Sequence, residues 1–187
     1  MTLEHAVVVP STISFLPQYA ALSDPVVDVR RAALTAVSWL VERHPGEVQL
    51  LVAEPRAEDV SRGVAEPAGE RIGRRLLAEA GFRGRVVEHS DGVLVVANGT
   101  ARRSEKAPGH LDERAFAFDE GVEKALRSGD GDALTALDPA LGEELWAFDT
   151  PVLRRLGDLA GRAAAEVDYA DDPYGVQYWV VRWTCAS

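Results

Sequence analysis

Three short apolar runs constrain the fold of this chain more than any other feature of its sequence. The runs are Ala6–Val9, Val48–Ala53 and Gly92–Ala97, and each has the length of a typical β-strand. Their residues hardly alternate with polar ones, which is typical of strands covered by helices on both faces. The runs therefore predict the buried strands of an α/β domain.

Apolar residues at helical spacing lie between and after these runs. They are Val29, Ala33, Val37 and Leu40, then Ile72, Leu76 and Ala80, and then Ala115, Phe118, Val122 and Ala125. Two further helices are predicted at Asp138–Pro139 and Thr150–Pro151, where a capping residue precedes a proline. The chain closes with an aromatic and β-branched strand, Val176–Trp183. This order predicts a three-layer α/β/α domain.

The segment around Gly92 predicts a pair of antiparallel strands. Arg85–His89 and Val93–Ala97 flank the sequence Ser90-Asp91-Gly92, and Asp-Gly is typical of tight hairpin turns. We therefore expect a hairpin here, which makes the central sheet mixed.

The length and charge of the chain limit its function. Its 187 residues predict one domain, residues 1–187. With 20 Lys and Arg against 30 Asp and Glu, the net charge is −10, which repels nucleic acids and anionic membranes. Cys185 is the only cysteine, so no internal disulfide forms. No run is long enough to span a membrane, and we expect a soluble cytoplasmic protein.

The loop Asn98–Arg114 is the strongest candidate for a functional segment. It follows a buried strand, and ligands of α/β sheets bind at the carboxyl ends of strands. Arg102, Arg103 and Lys106 are suited to hold a carboxylate or phosphate. His110 and Glu105 are the candidate acid–base pair. The alternative is a solvated loop whose charges pair with one another.

Other common site motifs are missing. The sequence has neither a phosphate-binding glycine loop nor a G-x-S-x-G nucleophile motif. No two histidines have the spacing of a helical metal pair. We interpret His44 as the end of a helix. We place His5 and His89 at the edge of the sheet opposite the loop Asn98–Arg114, which we call the charged loop.

Three stretches together resemble a known family. Val8–Tyr19, Gly99–Asp112 and Asp171–Tyr178 resemble an actinobacterial branch of the class III extradiol ring-cleavage dioxygenase superfamily, which is similar to the catalytic subunits of aromatic-ring-opening enzymes and to the Memo-type proteins. The resemblance implies a three-layer α/β domain with its site at the carboxyl edge of the sheet.

The resemblance also implies how the site differs from that of an active enzyme. Extradiol enzymes bind ferrous iron with two histidines and a carboxylate. Ser11–Ile13 stands where relatives carry a His-Pro-Pro element, and Arg102 or Arg103 stands where the second histidine is expected. A hydroxyl is a poor ligand for iron, and a fixed cation repels it. The resemblance thus implies the fold without the usual iron site.

We therefore expect a pocket that binds a small anionic or aromatic ligand without ring cleavage and without a cofactor. Its ligand-binding residues are predicted to be Ser11, Thr12, Arg102, Arg103, Lys106 and Tyr174, and its candidate catalytic residues are His110 and Glu105.

Two alternatives stay open. The first is an active Fe(II) dioxygenase that binds iron with His110, Glu105 and another carboxylate such as Glu54. The second is a structural or interaction protein that forms a homodimer. In that case Trp146, Trp179 and Trp183 would face the partner subunit.

Overall fold

A six-stranded mixed sheet forms the centre of the computed structural model, which describes residues 3–19, 26–61, 63 and 66–185. The strands are β1 (His5–Val9), β2 (Glu47–Leu51), β3 (Arg85–Val87), β4 (Gly92–Val96), β5 (Ala163–Asp171) and β6 (Tyr178–Cys185), in the spatial order β3-β2-β4-β1-β6-β5. The strands from β1 to β4 pair in parallel, whereas β6 is antiparallel to both β1 and β5. The predicted α/β class and mixed sheet are confirmed.

Helices cover both faces of the sheet. They are α1 (Val27–Arg43), α2 (Ala57–Ser61), α3 (Ala68–Glu79), α4 (Arg114–Ser128), α5 (Gly131–Thr135), α6 (Pro139–Glu144) and α7 (Thr150–Ala160). Alternate residues of β1 serve two separate cores. Val7 and Val9 pack with α1 and α3, whereas Ala6 and Val8 pack with the apolar residues of α4 to α7. This arrangement is the predicted three-layer architecture.

The predicted hairpin around Gly92 is wrong. β3 pairs with β2, and β4 lies between β1 and β2, parallel to both. All five residues of β4 are buried, which fits a central strand. Gly92 serves close packing instead of a turn, because a Cβ there would overlap the ring of His44. A glycine is therefore required at position 92, but its close contact with His44 is the reason and not a turn.

Trp179 and Trp183 belong to the core. Their side chains are 0% and 1% exposed, and the indole Nε1 of Trp183 donates a hydrogen bond to the backbone oxygen of Leu126 at 2.8 Å. A partner subunit therefore cannot pack on these two rings in the folded chain. Trp146 is exposed, as that alternative requires.

No helix among the described residues combines the length and the apolar character needed to cross a membrane.

The packing of α5 against α7 yields a test of the fold. A Cβ at Gly157 would overlap the backbone oxygen of Gly131 and lie 2.8 Å from the backbone nitrogen of Thr135. Because backbone atoms cannot move aside cheaply, we expect Gly157→Ala to lower the free energy of unfolding by about 1–3 kcal/mol.

Gly121→Ala is the matched control, because Gly121 is also helical and a Cβ there meets nothing within 4 Å. Alanine should stabilise this helix by up to about 1 kcal/mol. Urea unfolding of both variants measures the difference. Equal effects would contradict the described contact between α5 and α7.

Candidate functional site

A cavity of about 660 Å³ lies at the carboxyl edge of the sheet, within the usual size range of small-molecule sites. Its walls come from the segments after β1, β2 and β4 and from the connection between α6 and α7. We call it the Ser11 cavity. Its lining includes Ser11, Asn98, Trp146, Phe148, Asp149 and Tyr178.

A carboxylate joins three of these segments at the cavity wall. The Ser11 hydroxyl donates to Oδ2 of Asp149 at 2.6 Å, and the backbone N–H of Asn98 donates to the same oxygen at 2.9 Å. The backbone N–H of Ser11 in turn donates to Oδ1 of Asn98 at 2.8 Å. These bonds tie the ends of β1 and β4 to the start of α7.

The environment of Asp149 also changes its acidity. Burial raises the pKa of Asp149, and the hydrogen bonds from Ser11 and Asn98 offset this rise only in part. A carboxyl group with a raised pKa in a cavity is suited to accept a hydrogen bond or a proton from a ligand.

Aromatic rings form a second part of the cavity lining. The ring centroids of Trp146 and Phe148 lie 5.9 Å apart at an interplanar angle of 32°, and the Arg56 guanidinium lies 3.9 Å from the Phe148 centroid. Trp146 is 40% exposed and has a φ of 57°, a left-handed conformation that is costly for an aromatic residue. Such strain is commonest where function requires a fixed side-chain position.

Acidic side chains outnumber basic ones around the cavity. Among the described residues, its lining includes Glu54, Glu66, Glu143 and Asp149 but only Arg56 and Arg71 as cations. Arg56 also forms an ion pair with Glu143 at 3.3 Å. The lining therefore favours ligands with hydrogen-bond donors over anions.

The structure places the predicted ligand-binding residues in three different surroundings. Ser11 and Thr12 line the Ser11 cavity. Arg103, Lys106 and Tyr174 line a different cavity of about 340 Å³. Arg102 donates from Nη1 to the backbone oxygen of Glu144 at 3.0 Å and lines neither cavity.

Arg103 is held in a largely buried ion-pair network. Its guanidinium contacts Asp119 at 3.1 Å and also pairs with Asp172, while the hydroxyl of Thr100 donates to Asp119 at 2.6 Å. Burial opposes its charge, but the two carboxylates outweigh burial and raise the pKa of Arg103. Burial also raises the pKa of Asp119, although Thr100 and Arg103 counteract the rise. Arg103 thus anchors its loop to α4.

The predicted pair His110 and Glu105 lies on the surface. His110 is exposed with a φ of 57°, and its Nδ1 lies 3.4 Å from the backbone oxygen of Glu105. Their side chains do not form a group of three metal ligands with Glu54 or with any other described residue. The proposed iron ligand set is therefore not assembled. The described residues gather one such group, Glu4, His5 and His44, at the opposite edge of the sheet.

Asp149 was not identified from the sequence because its position is typical of a helix cap. It precedes Thr150–Pro151, and an aspartate there normally accepts hydrogen bonds from the first helical turn. Its side chain forms no such bond and contacts Ser11 and Asn98 instead. Thr150 could itself cap this helix. The additional aspartate before it was therefore the signal in the sequence that Asp149 has another role.

Comparison with protein-family models found no match for this chain, and comparison with curated proteins found none either.

The raised pKa of Asp149 predicts a specific pH dependence of stability. Between the ordinary pKa of 3.8 and its raised value, the folded state binds more protons than the unfolded state. The wild type should therefore lose stability relative to Asp149→Asn as the pH rises through this window. A tenfold difference in proton affinity between the two states corresponds to about 1.4 kcal/mol. Urea unfolding from about pH 2 to 7 measures the loss and also covers the lower window of the control variant.

Asp112→Asn is the control of opposite sign. Hydrogen bonds from Arg114 lower the pKa of Asp112 from 3.8 to about 2. Here the wild type should gain stability relative to the variant as the pH rises through that lower window. The same slope for both variants would contradict the assignment of Asp149.

Proposed function

We propose that this protein binds a small aromatic molecule that carries hydroxyl or amino hydrogen-bond donors, and that it binds this ligand in the Ser11 cavity without opening the ring. The observation that carries the proposal is that one cavity combines the rings of Trp146 and Phe148 with the carboxylate of Asp149. The rings would supply stacking, and the carboxylate would accept a hydrogen bond.

The cavity provides both a surface for ring stacking and a positioned hydrogen-bond acceptor. Aromatic rings prefer offset or tilted neighbours at centroid distances of about 4.5–7 Å, as Trp146 and Phe148 already adopt. Asp149 is positioned by Ser11 and Asn98 before any ligand arrives. A positioned acceptor loses little entropy on binding, which favours affinity for a donor group.

The charge of the lining favours one of the two ligand classes expected from the sequence. Among the described lining residues, an anionic ligand would meet four acidic side chains and two arginines. The arginines expected to hold an anion are elsewhere, since Arg102 lines neither cavity and Arg103 pairs with Asp119 and Asp172. A phenol, a catechol or an aromatic amine therefore fits better than an aromatic carboxylate.

The donor set of the cavity supports binding without ring cleavage. Its described lining residues offer carboxylates but neither histidine nor cysteine. Ferrous iron in oxygenases is typically held by two histidines and one carboxylate. From the resemblance to an actinobacterial extradiol-dioxygenase branch we take only the expected fold with its site at the carboxyl edge of the sheet. We also propose a cytoplasmic location.

A homodimer stays a prediction. Of the three tryptophans expected at its interface, Trp146 alone is exposed, and it lines the Ser11 cavity. A dimer that covers Trp146 would also cover part of the cavity. Light scattering at high protein concentration distinguishes a monomer from a dimer.

Isothermal titration calorimetry with phenol, catechol, aniline and benzoate tests the proposed function. We expect catechol and phenol to bind more tightly than benzoate, because benzoate is repelled by the acidic lining. Trp146→Ala should weaken binding of catechol about tenfold, since it removes a stacking surface.

Tyr174→Ala is the matched control, because Tyr174 is 47% exposed and Trp146 is 40% exposed, but Tyr174 lies outside the Ser11 cavity. This variant should bind catechol as the wild type does. If benzoate bound best and Tyr174→Ala removed its binding, the smaller cavity beside Arg103 and Lys106 would be the site and the proposal would fail.

A further inference from the structure

Two histidines and a glutamate meet at the amino edge of the sheet, far along the strands from the Ser11 cavity. Glu4 and His5 lie at the start of β1, and His44 ends α1. One side-chain atom of each residue lies within 4.8 Å of the others. Nδ1 of His5 and Nε2 of His44 are 3.0 Å apart and share a hydrogen bond.

The surrounding backbone fixes this cluster. The backbone N–H groups of Glu4 and His5 donate to the backbone oxygen of Asp91 at 2.8 and 3.1 Å. The ring of His44 rests against Gly92, where a Cβ would overlap it. The His5 ring packs edge-on against Trp39, with centroids 5.1 Å apart. Both imidazoles are therefore positioned by packing and by the pairing of β1 with its neighbours.

The spacing of the two rings suits metal binding. Metal–nitrogen bonds of about 2.0–2.1 Å place neighbouring ligands about 3 Å apart when the angle at the metal is near 90°. Burial is the largest effect on both histidines, and it lowers the pKa of His5 and the pKa of His44. Metal coordination uses the neutral imidazole, which is the form that a lowered pKa favours.

The charges around the cluster include one unsatisfied group. Arg43 opposes a cation, but its guanidinium stacks on Trp39 at 4.3 Å and donates to a backbone oxygen. Asp91 acts electrostatically on His44 in the opposite sense. Its Oδ1 is buried and has no hydrogen-bond partner among the described residues. An uncompensated buried carboxylate oxygen is rare, and a nearby cation would compensate it.

We propose that Glu4, His5 and His44 bind one divalent first-row transition-metal ion such as Zn²⁺. The set of two nitrogens and one carboxylate favours such ions over Mg²⁺ and Ca²⁺, which prefer oxygen ligands. The ion replaces the hydrogen bond between the two rings and lies off the line that joins their nitrogens, because a metal–nitrogen bond is longer than half of 3.0 Å. The imidazole that donated this hydrogen bond then holds its proton on its other ring nitrogen. The site links the start of β1 to the end of α1 and does not depend on the function of the Ser11 cavity.

Calorimetry with Zn²⁺ tests the site on the full chain after removal of any affinity tag. We expect one Zn²⁺ per chain and no binding of Mg²⁺ or Ca²⁺. His5→Gln and His44→Gln should each weaken Zn²⁺ binding by more than about tenfold. Glu4→Gln should also weaken binding, and because Glu4 is exposed this variant keeps the test independent of folding.

His89→Gln is the matched control, because His89 is an exposed histidine that belongs to no described metal-ligand group. It should bind Zn²⁺ as the wild type does. Stoichiometric binding that survives all three ligand variants, or the absence of Zn²⁺ binding by the wild type, would overturn the proposal.

Tryptophan fluorescence locates the ion independently. Paramagnetic Cu²⁺ bound by His5 would lie close to Trp39 and should quench its emission. Trp39→Phe should lose most of this quenching while it retains stoichiometric Cu²⁺ binding by calorimetry. Full quenching in Trp39→Phe would place the ion near another tryptophan and would overturn the proposed position.

Discussion

The candidate site depends on the hydrogen bonds that the Asp149 carboxylate accepts from Ser11 and Asn98. This carboxylate holds Ser11 after β1 and the backbone of Asn98 after β4, so two adjacent parallel strands end at fixed positions beside the start of α7. Loops at the carboxyl edge of a sheet need such ties because they lack a regular hydrogen-bond ladder. The cost is a buried acid, and the raised pKa of Asp149 reflects that cost. The same carboxylate that orders the loops also lines the Ser11 cavity.

Much of the fold was predictable because burial on both faces of a strand leaves a direct trace in the sequence. Ala6–Val9 and Gly92–Ala97 became the central parallel strands. The error at Asp91–Gly92 has a physical cause, since a glycine that admits the His44 ring looks the same in sequence as a glycine in a turn. Strand pairing also depends on contacts between distant segments, which local patterns do not encode.

The site was predictable only in part, and its charges explain why. Ser11 and Thr12, which the resemblance placed in the pocket, line the Ser11 cavity. The many charges in the loop after β4 made Arg103 a candidate ligand-binding residue. In the structure, Asp119 and Asp172 neutralise this arginine, and these ion pairs anchor the loop. Asp149 and the Trp146 ring come from a distant helix connection, and only the tertiary fold brings them to Ser11. The same holds for His5 and His44, which come together across the amino edge.

Backbone and indole NMR shifts during a titration with catechol test the central claim most directly, because they show where the ligand lies. If the ligand binds in the Ser11 cavity, the largest changes occur at the amide groups of Ser11 and Asn98 and at the indole N–H of Trp146. Changes concentrated instead at Arg103, Lys106 and Tyr174 would place the ligand in the smaller cavity that these residues line and would contradict binding in the Ser11 cavity.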